Sequence, residues 1–502
     1  MYRSRQTENL DENVLDYLSS LNDDIQLLYY DIVGTQAHCL MLNKIGILRS
    51  DELAKILSTL NKLKKECNDN DNIQDILSIQ SSSAEDVHEQ IESLIVEKTG
   101  VEVGGKMHTG RSRNDQVMLD LRMKIRDDIN DMCILIIKLI ESLIHRSKDN
   151  KNTIISLYTH LQQAQIGTLS HYLLSYSFNL LRDLDRLVLL YEKVNESPLG
   201  ACAIGGTSIP IDRSLTASLL GFRDIVKNSI DATSSRDTVL EFLSTSAILM
   251  TSLSRIAEDF ILWSTAEFNY IELTDKFSST SSVMPQKKNP DPLEILRARS
   301  SMVIGHLVTA LSIVKGLPSG YSRDLQDLKP LIFDCCKISK TSILVLIGII
   351  DSFSVNKNKM LDSANKSYGV SLDIGEQLVI KYNIPFRKIH KLMGLLVQYS
   401  INNNISMDAI KQDQILKILD AVDIKKIKPE DILSLIKDIT PNMSIDLRRS
   451  SGSPMPAEQD KMIVSIESSL KEYKTLVSDR IKSVYQIFRD LDKIVERRSN
   501  LK

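Results

Sequence analysis

The chain of 502 residues contains few residues that break helices and few that favour sheets. Glycine occurs 19 times and proline 12 times, about 4% and 2% of the chain, against usual values of about 7% and 5%. Aromatic residues make up only 5% of the chain, whereas aromatic and β-branched side chains are typical of strands. A chain with so few turn-forming residues makes few turns, so we expect long helices and an all-α fold.

The sequence also lacks an excess of either charge. The 62 basic and 65 acidic residues give a formal net charge of −3, which argues against a nucleic-acid partner because nucleic acids select basic surfaces. The longest apolar run, 343–350, is far shorter than the roughly 20 residues that span a bilayer. The first 13 residues have no apolar leader segment. We therefore expect a cytoplasmic protein with no membrane partner.

Cysteine is scarce and unpatterned. No two cysteines have Cys-x-x-Cys spacing, and none has a histidine at the interval typical of zinc sites. The six are Cys39, Cys67, Cys133, Cys202, Cys335 and Cys336. We therefore expect neither a metal site nor a disulfide framework.

Four segments have apolar residues at alternating steps of three and four. They are residues 116–147, 161–194, 237–273 and 292–315. This spacing places one apolar stripe along each helix, the pattern of helical bundles. The sequence therefore predicts a central domain of long, nearly parallel helices.

The sequence on either side of these segments is more broken. We predict an amino-terminal helical domain (1–107), a central long-helix bundle (108–357) and a carboxyl-terminal helical domain (358–502). In the last domain, apolar residues from Val477 to Val495 keep the three-four spacing, which predicts an extended terminal helix.

Polar, turn-prone stretches interrupt the predicted helices, and each has a functional and a purely structural interpretation. In residues 108–116 (HTGRSRNDQ), arginines beside a helix start suit an anion site, although a capped helix start explains them equally well. In residues 158–162 (YTHLQ), expected at the start of a long helix, Thr159 suits an N-cap and His160 a structural histidine. In residues 321–329 (YSRDLQDLK), alternating charges are typical of a solvated segment.

The signature loop, residues 276–292 (KFSSTSSVMPQKKNPDP), contains three prolines and therefore cannot form a continuous helix. Its serines beside two lysines suit a nucleophile or base with a charge stabiliser, and a flexible linker is the alternative. Residues 291–294 also have the pattern of a helix start with a capping box, which would explain Glu294 without catalysis.

Together the four stretches resemble the fumarase/aspartase superfamily and, within it, the argininosuccinate lyase family. The superfamily pattern G-S-x-x-M-x-x-K-x-N is matched except at its glycine, where Thr280 stands. The matching residues are Ser281, Met284, Lys287 and Asn289. Gln286 and Lys288 are similar to the argininosuccinate branch, as are the stretches 108–116, 158–162 and 321–329.

The resemblance implies an all-helical, three-domain subunit with five long helices, the fifth predicted over 331–353. Four such subunits would form a homotetramer with a twenty-helix core and active sites shared between subunits. The implied reaction is the cleavage of argininosuccinate to arginine and fumarate, in arginine biosynthesis, without a cofactor.

The resemblance also implies roles for individual residues. Ser281 would be the base, Lys287 would stabilise the anionic intermediate, and His160 would assist the leaving nitrogen. Glu294 would pair with His160 and raise its pKa. Whether Ser281 or His160 is the base stays open. The implied substrate-binding residues are Ser20, Asp86, Ser112, Arg113, Asn114, Thr159, Asn289, Tyr321, Gln326 and Lys329.

Two segments depart from the family pattern: residues 1–5 replace a Trp-Gly-Gly-Arg-Phe-like stretch, and residues 451–456 replace a Gly-Gly-Thr-x-Pro-like turn. The alternatives are a sibling enzyme such as an adenylosuccinate lyase, or a crystallin-like helical scaffold without activity. Gln286 and Lys288 argue against the first alternative, and the presence of Ser281 and His160 argues against the second.

Overall fold

The computed structural model describes residues 11–67 and 84–500, and most of these residues are helical. The helices are α1 (Glu12–Leu18), α2 (Leu21–Asp24), α3 (Leu28–Lys44), α4 (Ser50–Glu66), α5 (Val87–Thr99), α6 (Val101–Gly104), α7 (Arg113–Asp149), α8 (Leu169–Val194), α9 (Arg213–Leu219), α10 (Ser229–Ser234), α11 (Asp237–Ser264), α12 (Asp291–Val314), α13 (Leu328–Ser352), α14 (Lys357–Lys366), α15 (Ser371–Tyr382), α16 (Phe386–Asn403), α17 (Gln412–Ala421), α18 (Pro429–Asp438), α19 (Pro441–Leu447) and α20 (Pro456–Ser499). The prediction of an all-α fold with five long central helices is confirmed.

Short strands occupy a few connections between the helices. They form two-stranded pairs: β1 (Ile154–Thr159) with β2 (Gln162–Thr168), β3 (Glu196–Ser197) with β4 (Asp224–Ile225), β5 (Ile271–Glu272) with β8 (Ser354–Val355), and β6 (Ser279–Thr280) with β7 (Lys288–Asn289). Single turns of 3₁₀-helix cover Ile25–Leu27, Gly105–His108, Asp275–Phe277, Arg323–Asp327 and Met407–Ala409.

The stretch 158–162 is a hairpin turn, so the prediction that it begins a helix is wrong. His160 and Leu161 both have positive φ angles, 55° and 56°, as a two-residue turn between antiparallel strands requires. The helix begins only at Leu169, where the Thr168 hydroxyl accepts a hydrogen bond from the His171 N–H at 3.1 Å. Thr168, rather than Thr159, is therefore the N-cap.

The start of α12 also differs from the sequence prediction. The helix begins at Asp291, its N-cap is Pro290, and no side chain caps it. The Asp291 carboxylate instead accepts a hydrogen bond from the Ser279 hydroxyl across the signature loop. Because that carboxylate is engaged elsewhere, the predicted capping box does not form. The prediction that the signature loop is not a continuous helix is confirmed.

The five long helices α7, α8, α11, α12 and α13 pack around one hydrophobic core. The apolar stripe of α20 joins this core through Ile463, Ile466, Leu470 and Val477. Further along, Leu491 and Val495 enter the core formed by the amino-terminal helices. The terminal helix therefore runs back along the bundle instead of packing with the carboxyl-terminal helices.

Residues between 368 and 447 form a separate hydrophobic core. The domain boundaries near 107 and 357 stay predictions, because helices of neighbouring segments share side chains in both larger cores. Within the described residues, α11 is the one helix long and apolar enough to cross a membrane, and most of its apolar window is buried inside the bundle.

Candidate active site

The predicted site residues fall into three groups, which lie at two ends of the bundle. The paired cluster lies where α2, α5, α7 and α13 begin, and it comprises Ser20, Asp86, Ser112, Arg113, Asn114, Tyr321, Gln326 and Lys329. The hairpin group is Thr159 and His160. The signature loop carries Ser281, Lys287 and Asn289, and Glu294 follows on the first turn of α12.

Lys329 is the centre of the buried part of the paired cluster. Its Nζ donates a hydrogen bond to the Ser20 hydroxyl at 2.9 Å and forms an ion pair with Asp24. The Ser20 hydroxyl in turn donates to the Asp24 Oδ2 atom at 2.7 Å. All three side chains are buried, so the Asp24 carboxylate supplies the negative charge that a buried ammonium group requires.

Asp86 and Arg113 form the second ion pair of the cluster, with 2.9 Å between Asp86 Oδ2 and Arg113 Nε. Asp86 Oδ1 also accepts a hydrogen bond from the Glu89 N–H at 2.9 Å, which makes Asp86 the N-cap of α5. This cap fixes the carboxylate at the entrance to the cluster.

The other polar residues of the cluster are held by backbone contacts. The Ser112 hydroxyl accepts a hydrogen bond from the Asn114 N–H at 3.3 Å, and the Asn114 side chain donates to the Ala203 carbonyl at 2.9 Å. Gln326 Nε2 donates to the Leu18 carbonyl at 3.0 Å. Burial raises the pKa of Tyr321, so its hydroxyl remains a hydrogen-bond donor at neutral pH.

The signature loop holds the Ser281 hydroxyl against two backbone donors. The oxygen accepts hydrogen bonds from the Met284 N–H at 3.0 Å and the Val283 N–H at 3.2 Å. The Ser281 N–H donates to the Lys287 carbonyl at 3.2 Å, which closes the loop. Two N–H groups directed at one oxygen stabilise negative charge on it, so the loop is built to favour a serine alkoxide.

The two adjacent lysines of this loop differ in their partners. Lys288 forms ion pairs with Glu272 at 3.1 Å and Asp275 at 2.9 Å. Lys287 is exposed and has no ion pair within residues 11–67 and 84–500. The ammonium group of Lys287 is therefore free to meet an anionic ligand.

His160 and Thr159 lie at the exposed tip of the β1–β2 hairpin. The hairpin near its tip adjoins the segment before the signature loop, because the Tyr158 and Tyr270 hydroxyl groups are 3.2 Å apart. Nevertheless, the described part of the chain contains no ion pair between His160 and Glu294. The two predicted partners are not brought together within one chain.

Helix lengths set the distance between the groups. The 37 residues of α7 span about 55 Å, and they separate Ser112 from the hairpin that carries His160. The 24 residues of α12 span about 36 Å, and they separate the signature loop from Tyr321. The paired cluster therefore lies at one end of the bundle, and the hairpin and the signature loop lie at the other.

Sequence reasoning missed three charged residues of the paired cluster. Asp24 neutralises Lys329, and Arg323 bridges the Glu85 carboxylate at 2.8 Å and the Leu18 carbonyl at 2.9 Å. Asp24 lies four residues after Ser20, one helical turn away, and this spacing was the available signal. The pairing of Arg323 with Glu85 joins residues 238 positions apart, and no local pattern indicates it.

Comparison with known proteins places these observations in a family. The family described as Lyase matches residues 5–305. An argininosuccinate lyase of Nitrosopumilus maritimus is 47% identical over 496 residues, covering 99% of each chain. One from Methanococcus aeolicus is 38% identical over 482 residues, covering 96% of each.

A solved structure of an EDDS lyase variant with bound fumarate is 29% identical, with a TM-score of 0.86 and coverage of 97% of this chain and 95% of that one. The two relatives and the solved structure match nearly the whole chain, including the segments that carry all three groups of candidate site residues. The chain therefore belongs to the argininosuccinate lyase family of the fumarase/aspartase superfamily.

Proposed function

We propose that the protein cleaves argininosuccinate to arginine and fumarate, as a carbon–nitrogen lyase of arginine biosynthesis. Relatives named argininosuccinate lyase match almost the full length of the chain. The structural observation that carries the proposal is the Ser281 hydroxyl, held by two backbone N–H groups beside an unpaired Lys287. This arrangement suits a reaction that begins with removal of a weakly acidic proton.

The reaction has to remove a proton from the carbon next to a succinyl carboxylate. Loss of that proton leaves a doubly charged aci-carboxylate, which must be stabilised as it forms. Ser281 takes the proton, since the Val283 and Met284 N–H groups stabilise its alkoxide form. Lys287 and Asn289 then offer a positive charge and an amide donor to the aci-carboxylate.

The second half of the reaction breaks the bond between that intermediate and the guanidino nitrogen. Protonated His160 delivers a proton to the leaving nitrogen, and Glu294 stabilises the imidazolium form by pairing with it. The paired cluster lies at the opposite end of the bundle from the hairpin and the signature loop, so one chain does not supply all three groups to one substrate. His160 and Glu294 also form no ion pair within the described part of one chain. We infer that Glu294 pairs with His160 of a neighbouring subunit.

The paired cluster suits the charged ends of the substrate. Argininosuccinate carries three carboxylates, and Arg113, Lys329 and the Asn114 amide offer cations and a donor to them. The Asp86 carboxylate is suited to the cationic end of the arginine moiety. Ser20, Ser112, Thr159, Tyr321 and Gln326 supply further hydrogen-bonding groups in this assignment.

The assembly we propose is a homotetramer whose twenty-helix core brings these groups together. Apolar side chains of α12 that stay exposed in the single chain support this assembly, because a helix of a bundle core buries such a face. They are Ile295, Met302, Ile304, Val308 and Leu311.

Light scattering tests the assembly. The expected mass in solution is four times that of the chain, and a monomer would contradict the assembly. A cytoplasmic location is part of the same proposal.

The activity is tested with purified protein by following the ultraviolet absorbance of fumarate. Argininosuccinate should give a steady increase in absorbance, and adenylosuccinate, aspartate and malate should give none. Turnover of adenylosuccinate alone would favour the sibling enzyme. No turnover of any of the four substrates would favour a structural role.

A further inference from the structure

Three ionisable side chains from three helices meet in the interior next to the paired cluster. His88 of α5 lies between Asp31 of α3 and Asp120 of α7. Its Nδ1 atom is 3.2 Å from the Asp31 Oδ1 atom and 3.6 Å from the Asp120 Oδ2 atom. All three side chains are buried, so none of these charges is screened by water.

The contacts around these residues define a charge arrangement. Within the described part of the chain, Asp31 Oδ2, both oxygens of Asp120 and both ring nitrogens of His88 make no aligned hydrogen bond, so the 3.2 Å contact between His88 Nδ1 and Asp31 Oδ1 is an ion pair. Burial and the neighbouring Asp31 charge raise the pKa of Asp120. A protonated Asp120 next to an ionised Asp31 would pair one Asp120 oxygen with Asp31 Oδ2, because the acid then donates one hydrogen bond to the carboxylate.

The same arrangement favours the charged form of His88. Burial alone would lower the pKa of His88, but the Asp31 carboxylate reverses this and raises it. Correspondingly, burial would raise the pKa of Asp31, but His88 and Arg111 lower it. These shifts favour an ion pair between Asp31 and His88 beside the neutral form of Asp120.

By ligand type alone, these three residues could also hold a metal ion. The charge of Arg111 argues against this use, since it acts on both Asp31 and Asp120. Arg111 is itself fixed by a hydrogen bond to the Thr35 hydroxyl at 2.8 Å. A fixed cation therefore already acts on both carboxylates, and it would repel a second cation.

The three residues connect directly to groups of the paired cluster. His88 lies two positions after Asp86, in the first turn of α5 that the Asp86 carboxylate caps. Gln116, which ends the 108–116 stretch, donates a hydrogen bond to Asp31. A change in the height or tilt of the α5 start relative to α7 would therefore move Asp86 away from Arg113.

We propose that His88 is a positioning residue for argininosuccinate cleavage, which through its Nδ1 contact with Asp31 fixes the start of α5 and holds Asp86 at the arginine end of the substrate. His88 itself does not touch substrate in this assignment. The inference rests on the proposed function, and it adds the requirement that one nitrogen of the ring is essential and the other is not.

Two variants of the same residue separate the two nitrogens. In His88→Asn the amide nitrogen lies near the position of Nδ1 and keeps a donor towards Asp31; in His88→Gln it lies near the position of Nε2. We expect His88→Asn to retain most of the substrate affinity. His88→Gln should raise KM about tenfold, equivalent to about 1.4 kcal/mol, and change kcat much less.

Product inhibition locates the effect. In His88→Gln the inhibition constant of arginine should rise in parallel with KM, while that of fumarate stays near the wild-type value, because fumarate binds at the signature loop. A general loss of stability would weaken the binding of both products, so it would not separate the two inhibition constants. Equal behaviour of the Asn and Gln variants, or equal loss of both products, would overturn the proposal.

The two carboxylates provide a second test, which stays informative if a His88 variant fails to fold. Asp120→Asn replaces a neutral acid by a neutral amide, so the melting temperature and KM should change little. Asp31→Asn removes the charge that holds His88 and should reproduce the His88→Gln effect. The opposite order of the two variants would overturn the proposal.

Absence of argininosuccinate turnover in the wild-type enzyme would instead refute the proposed function, and the melting temperatures would still test the charge arrangement.

Discussion

The regions at the two ends of helix α12 differ in whether their charged side chains are paired within the chain. At its carboxyl end, Lys329 and Arg113 are held by carboxylates of their own chain, and much of the paired cluster is buried. At its amino end, Lys287 is unpaired and Ser281 lies in a loop whose following residues are exposed. We propose on this basis that the paired cluster is completed within one chain, whereas Ser281 and Lys287 act together with residues of neighbouring subunits.

The largest effect expected is at the exposed end, in Ser281→Ala. Removing the base and its two stabilising N–H contacts should lower kcat by roughly three powers of ten. The neighbouring Ser282, also exposed, provides a matched control, and Ser282→Ala should retain kcat within about threefold. Measurement of kcat for both variants decides the assignment. Near-normal turnover in Ser281→Ala, with His160→Asn inactive, would transfer the base role to His160.

Variants of the adjacent residues Lys287 and Lys288 test whether turnover depends on the unpaired charge of Lys287. Lys287→Met should lower kcat/KM by about two to three powers of ten, because the charge that stabilises the intermediate is lost. Lys288→Met removes only surface ion pairs with Glu272 and Asp275, so its kcat/KM should change by less than about threefold. Steady-state kinetics of both variants measures the two losses in kcat/KM. Similar losses in the two variants would contradict the distinction between them.

Subunit mixing tests whether the two ends meet only between chains. His160→Asn inactivates the hairpin group and Gln326→Ala weakens the paired cluster, and each homomeric variant should have low activity. A mixture that exchanges subunits should regain a substantial fraction of wild-type activity, since some sites then receive both intact residues. Fumarate formation before and after exchange measures the recovery. With exchange verified by mass, no recovery would show that each site is built from a single chain.

A smaller effect, on stability, is expected where the terminal helix α20 packs against the amino-terminal helices. Leu491 is buried among the amino-terminal helices, so Leu491→Ala should destabilise the fold by about 3 kcal/mol through the cavity that it leaves. Leu476 of the same helix is 43% exposed, and Leu476→Ala should cost less than about 1 kcal/mol. Chemical denaturation of both variants measures the difference, and kcat should be retained in each. Equal free energies of unfolding in the two variants would mean that the contact of Leu491 is not stabilising.

The smallest effect concerns pH and His38, which holds the 108–116 stretch. Its Nε2–H donates to the Thr109 carbonyl at 2.9 Å, and burial and the nearby Arg111 lower the pKa of His38 to about 3. The folded protein therefore binds fewer protons than the unfolded chain between about pH 3 and 6.5. Stability should fall as the pH drops through this range, by about 1.4 kcal/mol at pH 5.5 from this residue.

His38→Gln keeps an Nε2 donor near Thr109 but cannot titrate, so the stability of this variant should depend less steeply on pH below 6.5. The exposed His390 provides the control, since His390→Gln should keep the wild-type slope. Unfolding free energies at pH 7.5 and 5.5 give the comparison. A slope equal to that of the wild type in His38→Gln would contradict the assignment.

The long helices and the non-helical signature loop were predictable because apolar spacing and proline act locally. The hairpin at His160 was not predictable, because its turn places two residues other than glycine or asparagine at positive φ, so the sequence carries no ordinary turn signal there. The candidate site residues were indicated only through family resemblance, and their roles stay predictions. Their grouping at two ends follows from helix lengths and from pairs such as Arg323 and Glu85, which local patterns do not encode.

The return of helix α20 to the amino-terminal core has a consequence for synthesis on the ribosome. Leu491 and Val495 complete a core whose other members, such as Leu53 and Leu57, leave the ribosome long before them. Folding from the amino terminus as the chain emerges therefore yields an incomplete core, with apolar surface open until α20 arrives. Truncated translation products would expose that surface, which would mark them for degradation and keep them from entering an assembly.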